Sequence, residues 1–399
     1  LKTPSSNRDA RLDAVRGLFL IIMAGVHVPS PVSTALREPF GFTSAAEAFI
    51  FLSACLAGLV YGKVYLRHGW EAMTHKVWQR SRLVFIVHLA LLLPVTLAAW
   101  LWCGQVIPLA NHFHDFLVHP WTSLPLLPLL LHQPPLFDIL PMYVLFLLVT
   151  PFAFGLAKRR GWQSVLLISA ALWLAGQFQS AYFPTDTTRL LPLRGGSFNV
   201  LAWQFLWLAG LALGESSVRR PLIPQNWRLA LGVLAGMLVL AGLCVRHGWV
   251  TGWQINPNYS LTNFWLNKWT LGPLRLLNFF VWVVLLLAWN PRPPQRLLAP
   301  TALLGRHSLA VFAFHLPLVV TATAVIQMLA LPDAAQTILV LGVIGSLFVW
   351  AWWLENNARE RAKAAAHPDF GRQPLPWLKR LHHQELVSRR PLKPSLPTA

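Results

Sequence analysis

Charge is in short supply, and acid most of all: among 399 residues only 14 are Asp or Glu, against 33 Lys or Arg. All charged residues together make up 12%, about half the ~25% of a soluble domain, which excludes an ordinary water-soluble surface. Cysteine is nearly missing. Cys55, Cys103 and Cys244 are too few for a disulfide framework, and Cys55 and Cys244 lie inside apolar runs as small core residues. No glycine-rich loop follows a strand, which excludes a soluble nucleotide-binding fold. No internal repeat is visible, which argues against an inverted-repeat transporter. The first apolar segment keeps charges within it and has no cleavage site, so it reads as a retained helix and not as a secretory signal.

What the chain has instead is length of apolar run. Hydrophobic residues reach 55% and the mean hydropathy is +0.50. Segments such as "LVFIVHLALLLPVTLAAWLW" (83–102) and "LGVLAGMLVLAGLCV" (231–245) match the thickness of a bilayer core. Ten spans are predicted, near 13–32, 45–64, 83–102, 139–157, 163–180, 199–213, 229–245, 274–290, 308–329 and 337–354. The expected fold is all-α: a polytopic transmembrane bundle of about ten spans over residues 1–355, with a basic, partly disordered tail over 356–399. Lys and Arg concentrate on alternate connections, and the 103–137 loop has neither. The positive-inside rule then places both termini in the cytoplasm. The net charge of +19 is read as this orientation signal, with the tail against anionic lipid headgroups, and not as a nucleic-acid surface.

One span breaks the apolar pattern. "RLDAVRGLFLIIMAGVH" (11–27) carries Asp13, Arg16 and His27, although a charge at a helix centre costs about 2.5–3.5 kcal/mol on insertion scales. Eleven helical steps separate Arg16 from His27. At 100° and 1.5 Å per step they share a face about 16 Å long, and Asp13 falls on it too. Such a stripe suits a cavity within the bundle. The plainer alternative has Arg16 snorkelling to the inner interface or pairing with Asp13, and His27 satisfied inside the bundle.

An Arg, ten residues, then a His in the first helix resembles the acyltransferase-3-like membrane enzymes, and within them the OpgC type. The resemblance is carried by residues 11–27, by "FGFTSAAEAFIFLSACLAGLVYG" (40–62), "DILPMYVLFLLVTPF" (138–152) and "GRHSLAVFAFHLPL" (305–318). Val26, Ser44 and Ala54 depart from the usual pattern. The resemblance implies ten membrane helices in a bacterial inner membrane. It implies transfer of an acyl group from cytoplasmic acyl-CoA (succinyl-CoA or acetyl-CoA) to a periplasmic glucan or related envelope glycan, with membrane lipids as partners, no nucleic acid and no metal.

Acyl transfer to a hydroxyl needs a base and donors for the developing oxyanion. His27 is the expected base, by direct attack or through an acyl-histidine. Glu47, at the outer start of the second span, is expected to orient it, the other roles open to it being a structural pair or a place in the headgroup zone, and Asp13 completes the catalytic set. Arg16 is assigned to the donor's phosphates or pantetheine end, with Arg80, Arg82 and Arg306 at the same surface as donor ligands or orientation charges. Asp138 and Tyr143 open the fourth span as cavity residues, and capping is the other role open to Asp138. His315 is a further cavity candidate.

Small residues at Ala54, Gly58 and Gly62 suggest close helix packing, and Ser53 sits on another face. The outer stretch 246–275 interleaves tryptophans, Trp265 among them, with asparagines, a pattern suited to sugar rings or to an interfacial belt. Lys268, Arg275, Arg189 and Arg194 are placed to meet an anionic acceptor or acyl carboxylate. "NHFHD" (111–115) is a weaker metal candidate. The rival class is a transporter or flippase for a sugar-linked or anionic substrate, since polar residues in spans also mark transport paths.

Overall fold

The computed structural model describes residues 9–102, 113–114, 116–182, 196–219, 222–249 and 264–366. The described residues are helical with no strands. In order they form α1 (Ala10–His27), α2 (Pro31–Leu36), α3 (Ala45–Trp102), α4 (Pro120–Ser123), α5 (Ile139–Tyr182), α6 (Val200–Arg219), α7 (Arg228–Arg246), α8 (Pro273–Trp289), α9 (Gln295–Arg306), α10 (Ser308–Met328) and α11 (Asp333–Ala366). The chain divides into a large unit ending at Ala351 and a second beginning at Trp352. The described part of the second unit is helical, with ion pairs Arg359–Glu355 and Lys363–Glu360 one turn apart.

Local chemistry sets the helix starts. Asp9 caps α1 by accepting from the Arg11 N–H, and Ser30 and Ser33 form a reciprocal capping box at α2. The Asn199 side chain accepts from the Ala202 N–H to cap α6 (3.0 Å). Among the described residues, five helical segments are long and apolar enough to cross a membrane: Ala45–Leu97, Ile139–Phe178, Gln225–Arg246, Ser308–Met328 and Asp333–Lys363. Most of α7 presents bare side chains such as Leu229, Val233 and Met237 outward, as a lipid-facing helix would.

Two of these long helices each hold two predicted spans, because each turns back on itself at a glycine. Gly69 in α3 and Gly161 in α5 have φ of 79°, which only a residue without Cβ adopts cheaply. In α5 the reversal is visible in its contacts. Asp138, just before its start, accepts from the Ser197 N–H (2.8 Å), while Gly176, near its end, accepts from the Asn199 side chain (3.2 Å). Residues 197 and 199 are neighbours, so both ends of α5 lie together.

In α3 the first half runs alongside α6 in the same sense, Ala54 against Gly210 and Gly62 against Glu215. The first half of α5 also runs with α6, from Asp138 against Ser197 to Thr150 against Trp207. The second half of α3 opposes that half of α5: Trp70 lies against Gly155, and Ser81 donates to the Val144 carbonyl. The two halves of α3 are therefore antiparallel.

Small residues let backbones meet elsewhere. A Cβ on Gly17 would overlap the Thr301 carbonyl, and one on Gly305 the Asp13 carbonyl, so α1 and α9 are locked in backbone contact as in small-residue membrane interfaces. The amphipathic α9 was not among the predicted elements. Gly58 and Gly214 play the same part between α3 and α6, as the spacing of Ala54, Gly58 and Gly62 suggested. At the core, fully buried Trp203 and Trp207 place their indole N–H groups on the Trp269 carbonyl and the Thr150 hydroxyl, each at 3.0 Å. The Trp173 indole (3.0 Å) and the Gln177 amide (2.6 Å) hold the Leu271 and Thr270 carbonyls. The segment before α8 is thus tied down by three side-chain donors, Trp203, Trp173 and Gln177.

Candidate active site

The polar stripe of α1 faces the bundle. His27, the last residue of α1, lies parallel to His315 of α10, with ring centroids 6.0 Å apart and planes at 18°. His315 meets Phe312 edge to face at 4.8 Å, and Phe312 stacks on Phe49 of α3 at 5.9 Å. The Arg16 guanidinium lies over the Phe49 ring at 5.9 Å, within cation–π range. Imidazole, imidazole, two phenyl rings and a guanidinium therefore form one continuous row contributed by α1, α3 and α10. Asp13 is buried a turn below Arg16, with its carbonyl at the α1–α9 contact.

His315 is fully sequestered, and its Nδ1 lies 2.5 Å from the Phe312 carbonyl. A carbonyl only accepts, so Nδ1 carries the proton, and in the neutral ring Nε2 is an acceptor. That Nε2 is buried without a hydrogen-bond partner among the described residues. Ser53 Oγ is in the same condition.

A second cluster stands at the start of α3. The sequence had suggested that Glu47 orients His27; the bonds Glu47 makes go elsewhere. Its Oε2 accepts from the Ser44 N–H (3.1 Å) and the Ser44 hydroxyl, and its Oε1 accepts from Arg275 Nε (2.5 Å). Arg275 Nη1 also donates to Glu38 (2.7 Å), whose other oxygen takes Arg246 Nε (3.1 Å). Glu47 is 0% and Arg275 2% exposed, so this is a desolvated Glu–Arg–Glu network. Arg275, Asn278 and Trp282 recur along one face of α8. Asn278 holds the Phe40 carbonyl and the Thr43 hydroxyl, and Trp282 holds the Phe40 carbonyl again. That face of α8 fastens the connection between α2 and α3.

Lys268 lies at the edge of this cluster with its ammonium 5.2 Å from the Trp269 ring. Burial pulls its pKa below the usual lysine range, against the opposing pull of Glu47, Glu38 and Asp138. Asp138 is buried and holds the Ser197 N–H, the capping role that was its alternative. Burial raises its pKa against that bond.

The remaining predicted residues are more scattered. Tyr143 stands edge-on to Trp207 at 5.0 Å. Arg80 is half-buried and interacts electrostatically with Tyr61. Arg82 and Arg306 are exposed, and Trp265 is 48% exposed beside Phe264. Arg189, Arg194, residues 250–263 of the Trp/Asn-rich stretch and three residues of "NHFHD" lie outside the described residues. Among the described residues no group of His, Cys, Asp or Glu is arranged to hold a metal.

A family model described as OpgC protein matches residues 8–359. The chain belongs to the OpgC family. It is therefore a membrane protein of the OpgC type, in general terms a glucan-modifying acyltransferase. The searches of curated proteins and of solved structures returned no match. The matched region takes in both clusters and all the helices that build them.

Sequence reasoning missed three parts of this arrangement. Glu38 had no motif to mark it. The His27–His315 pair joins opposite ends of the chain. The Ser44–Glu47 contact did have a signal: Ser-x-x-Glu before an apolar run is the capping-box pattern.

Proposed function

We propose that this OpgC-family protein transfers an acyl group, succinyl or acetyl, from cytoplasmic acyl-CoA to a hydroxyl of a periplasmic glucan or related envelope glycan, across ten passes of the inner membrane with both termini inside. The observation that carries the reading is the stacked His27–His315 pair inside the bundle, joined through Phe312 and Phe49 to Arg16. Doubling back of α3 and α5 supports the pass count, and the Lys/Arg pattern supports the orientation.

In this mechanism His27 takes the proton of the substrate hydroxyl as its oxygen attacks the thioester carbonyl, while the acceptor Nε2 of His315 receives a neighbouring hydroxyl of the same sugar and so orients it. The tetrahedral intermediate collapses with cleavage of the C–S bond. The leaving thiolate takes the proton back from the His27 imidazolium, giving an ester and free CoA thiol. Arg16 receives the pantetheine end of the donor. The Glu38–Arg275–Glu47 network positions the start of α3, and so Phe49, beside the histidines. Lys268 is available to an anionic group on acyl chain or acceptor.

Purified protein given acyl-CoA and a glucan should release CoA only when the acceptor is present, and His27→Ala should reduce that release by about 10²–10⁴-fold, the usual worth of a general base. Substrate-coupled uptake into vesicles that survives the same substitution would replace this reading with a transporter.

A further inference from the structure

A cleft of about 580 Å³ opens between α3, α5 and α6, and no part of the mechanism above uses it. Its walls include Tyr65, Phe154, Lys158, Trp162, Glu215 and Ser216. It sits at the turn of the α5 hairpin, where Gly161 reverses the chain. By the orientation above, this is the cytoplasmic end of the bundle. The chemistry here is specific. The Trp162 indole donates to Glu215 Oε2 at 3.1 Å, and Glu215 is buried. Phe154 meets Trp162 edge to face at 5.5 Å, and the Lys158 ammonium lies 5.5 Å over Tyr65. Exposed Lys63 and Arg67 flank Tyr65 along α3, and exposed Arg159 and Arg160 follow Lys158.

We infer that this cleft binds the nucleotide end of the donor, an adenine nucleotide with its phosphates. Aromatic walls offer stacking for a planar base. A carboxylate held by an indole accepts from an exocyclic amine. A cluster of Lys and Arg at the rim meets phosphate oxygens with charge-assisted hydrogen bonds. The volume falls in the ~300–1,000 Å³ range of sites for ligands of this size. A phospholipid headgroup would also meet the rim cations, but it brings no planar ring for the aromatic walls. The inference rests on the acyl-CoA reading of the previous subsection, and adds to it the residues that would distinguish CoA from a bare thioester.

The test compares two donors that share the thioester, acyl-CoA and acyl-pantetheine, in full-length protein reconstituted in vesicles of defined phospholipid. The kcat/KM ratio between them measures the nucleotide's contribution. Wild-type protein is expected to favour acyl-CoA by at least about tenfold, and Lys158→Ala, Trp162→Leu and Glu215→Gln each to draw that ratio toward one. A ratio unchanged in all three variants overturns the inference. So does an unchanged ratio accompanied by altered dependence on lipid composition, which would make the cleft a lipid site. Loss of transfer from both donors in wild-type protein would instead count against the acyltransferase reading. In that case calorimetry with 3′-phospho-ADP decides: binding weakened about tenfold by Lys158→Ala supports the cleft, and no binding, or binding indifferent to the substitution, overturns it.

Discussion

Replacing Arg275 by Met tests whether the Glu38–Arg275–Glu47 network fastens the start of α3 to α8. Each ion pair, at 2.5–2.7 Å, is worth on the order of 6 kcal/mol gross at an effective dielectric near 20. Desolvation of the ions cancels much of this, so the intact network is expected to be close to neutral for stability. Removing only the cation is different. Glu47, with no exposure, is left charged and buried, and Glu38 loses one of its two arginines. Such an orphaned charge costs about 3–5 kcal/mol, roughly two to four orders of magnitude in the folding equilibrium. The triple change Arg275→Met, Glu47→Gln, Glu38→Gln removes the charges together and should return to within about 1–2 kcal/mol of wild type. Denaturant unfolding in mild detergent, followed by tryptophan fluorescence, measures all three proteins; the 20 tryptophans give ample signal. If Arg275→Met costs under about 1 kcal/mol, or the triple variant is worse than the single one, the network is not the clamp described here.

Three further predictions follow from the packing and the site. Gly17→Val should destabilise the fold by about 1–3 kcal/mol or more and reduce transfer, because its side chain must displace the Thr301 carbonyl from α1; thermal unfolding together with an activity assay reads both. His315→Phe keeps a ring against His27 but removes Nε2. It should lower kcat about 10²-fold or more with little change in unfolding midpoint, and a variant with full kcat would show that Nε2 is not used. Asp138 has a raised pKa in the folded protein, so its contribution to stability declines as pH rises from its unfolded value, about 3.9, through the raised folded value. The difference between wild type and Asp138→Asn, measured across that window, should show this slope, and a difference independent of pH would contradict the assignment.

Features that depend on near neighbours in sequence could be read before any coordinates. The shared face of Arg16 and His27 follows from helical arithmetic. The small-residue stripe of α3 followed from a repeat of four. The spans within α3 and α5 followed from apolar runs, and the turns at Gly69 and Gly161 fall between them. What could not be read depends on which distant segments meet. His315 reaches His27 only because α10 packs on α1. Glu47 serves Arg275 because the α8 face carrying Asn278 and Trp282 grips the connection before α3. The α9 helix escaped notice because its apolar face is short and its partner, the α1 backbone at Gly17, leaves no side-chain signature. Trp162 and Glu215 meet only because α5 and α6 pack side by side.

In the proposed reaction a thioester arriving from the inner face meets a hydroxyl at His27 and His315. A structure of the full-length protein with a non-reactive acyl-CoA analogue tests it most directly. The analogue's carbonyl is expected within hydrogen-bonding reach of His27, with the pantetheine end at Arg16. An analogue bound with its carbonyl remote from both imidazoles would contradict it.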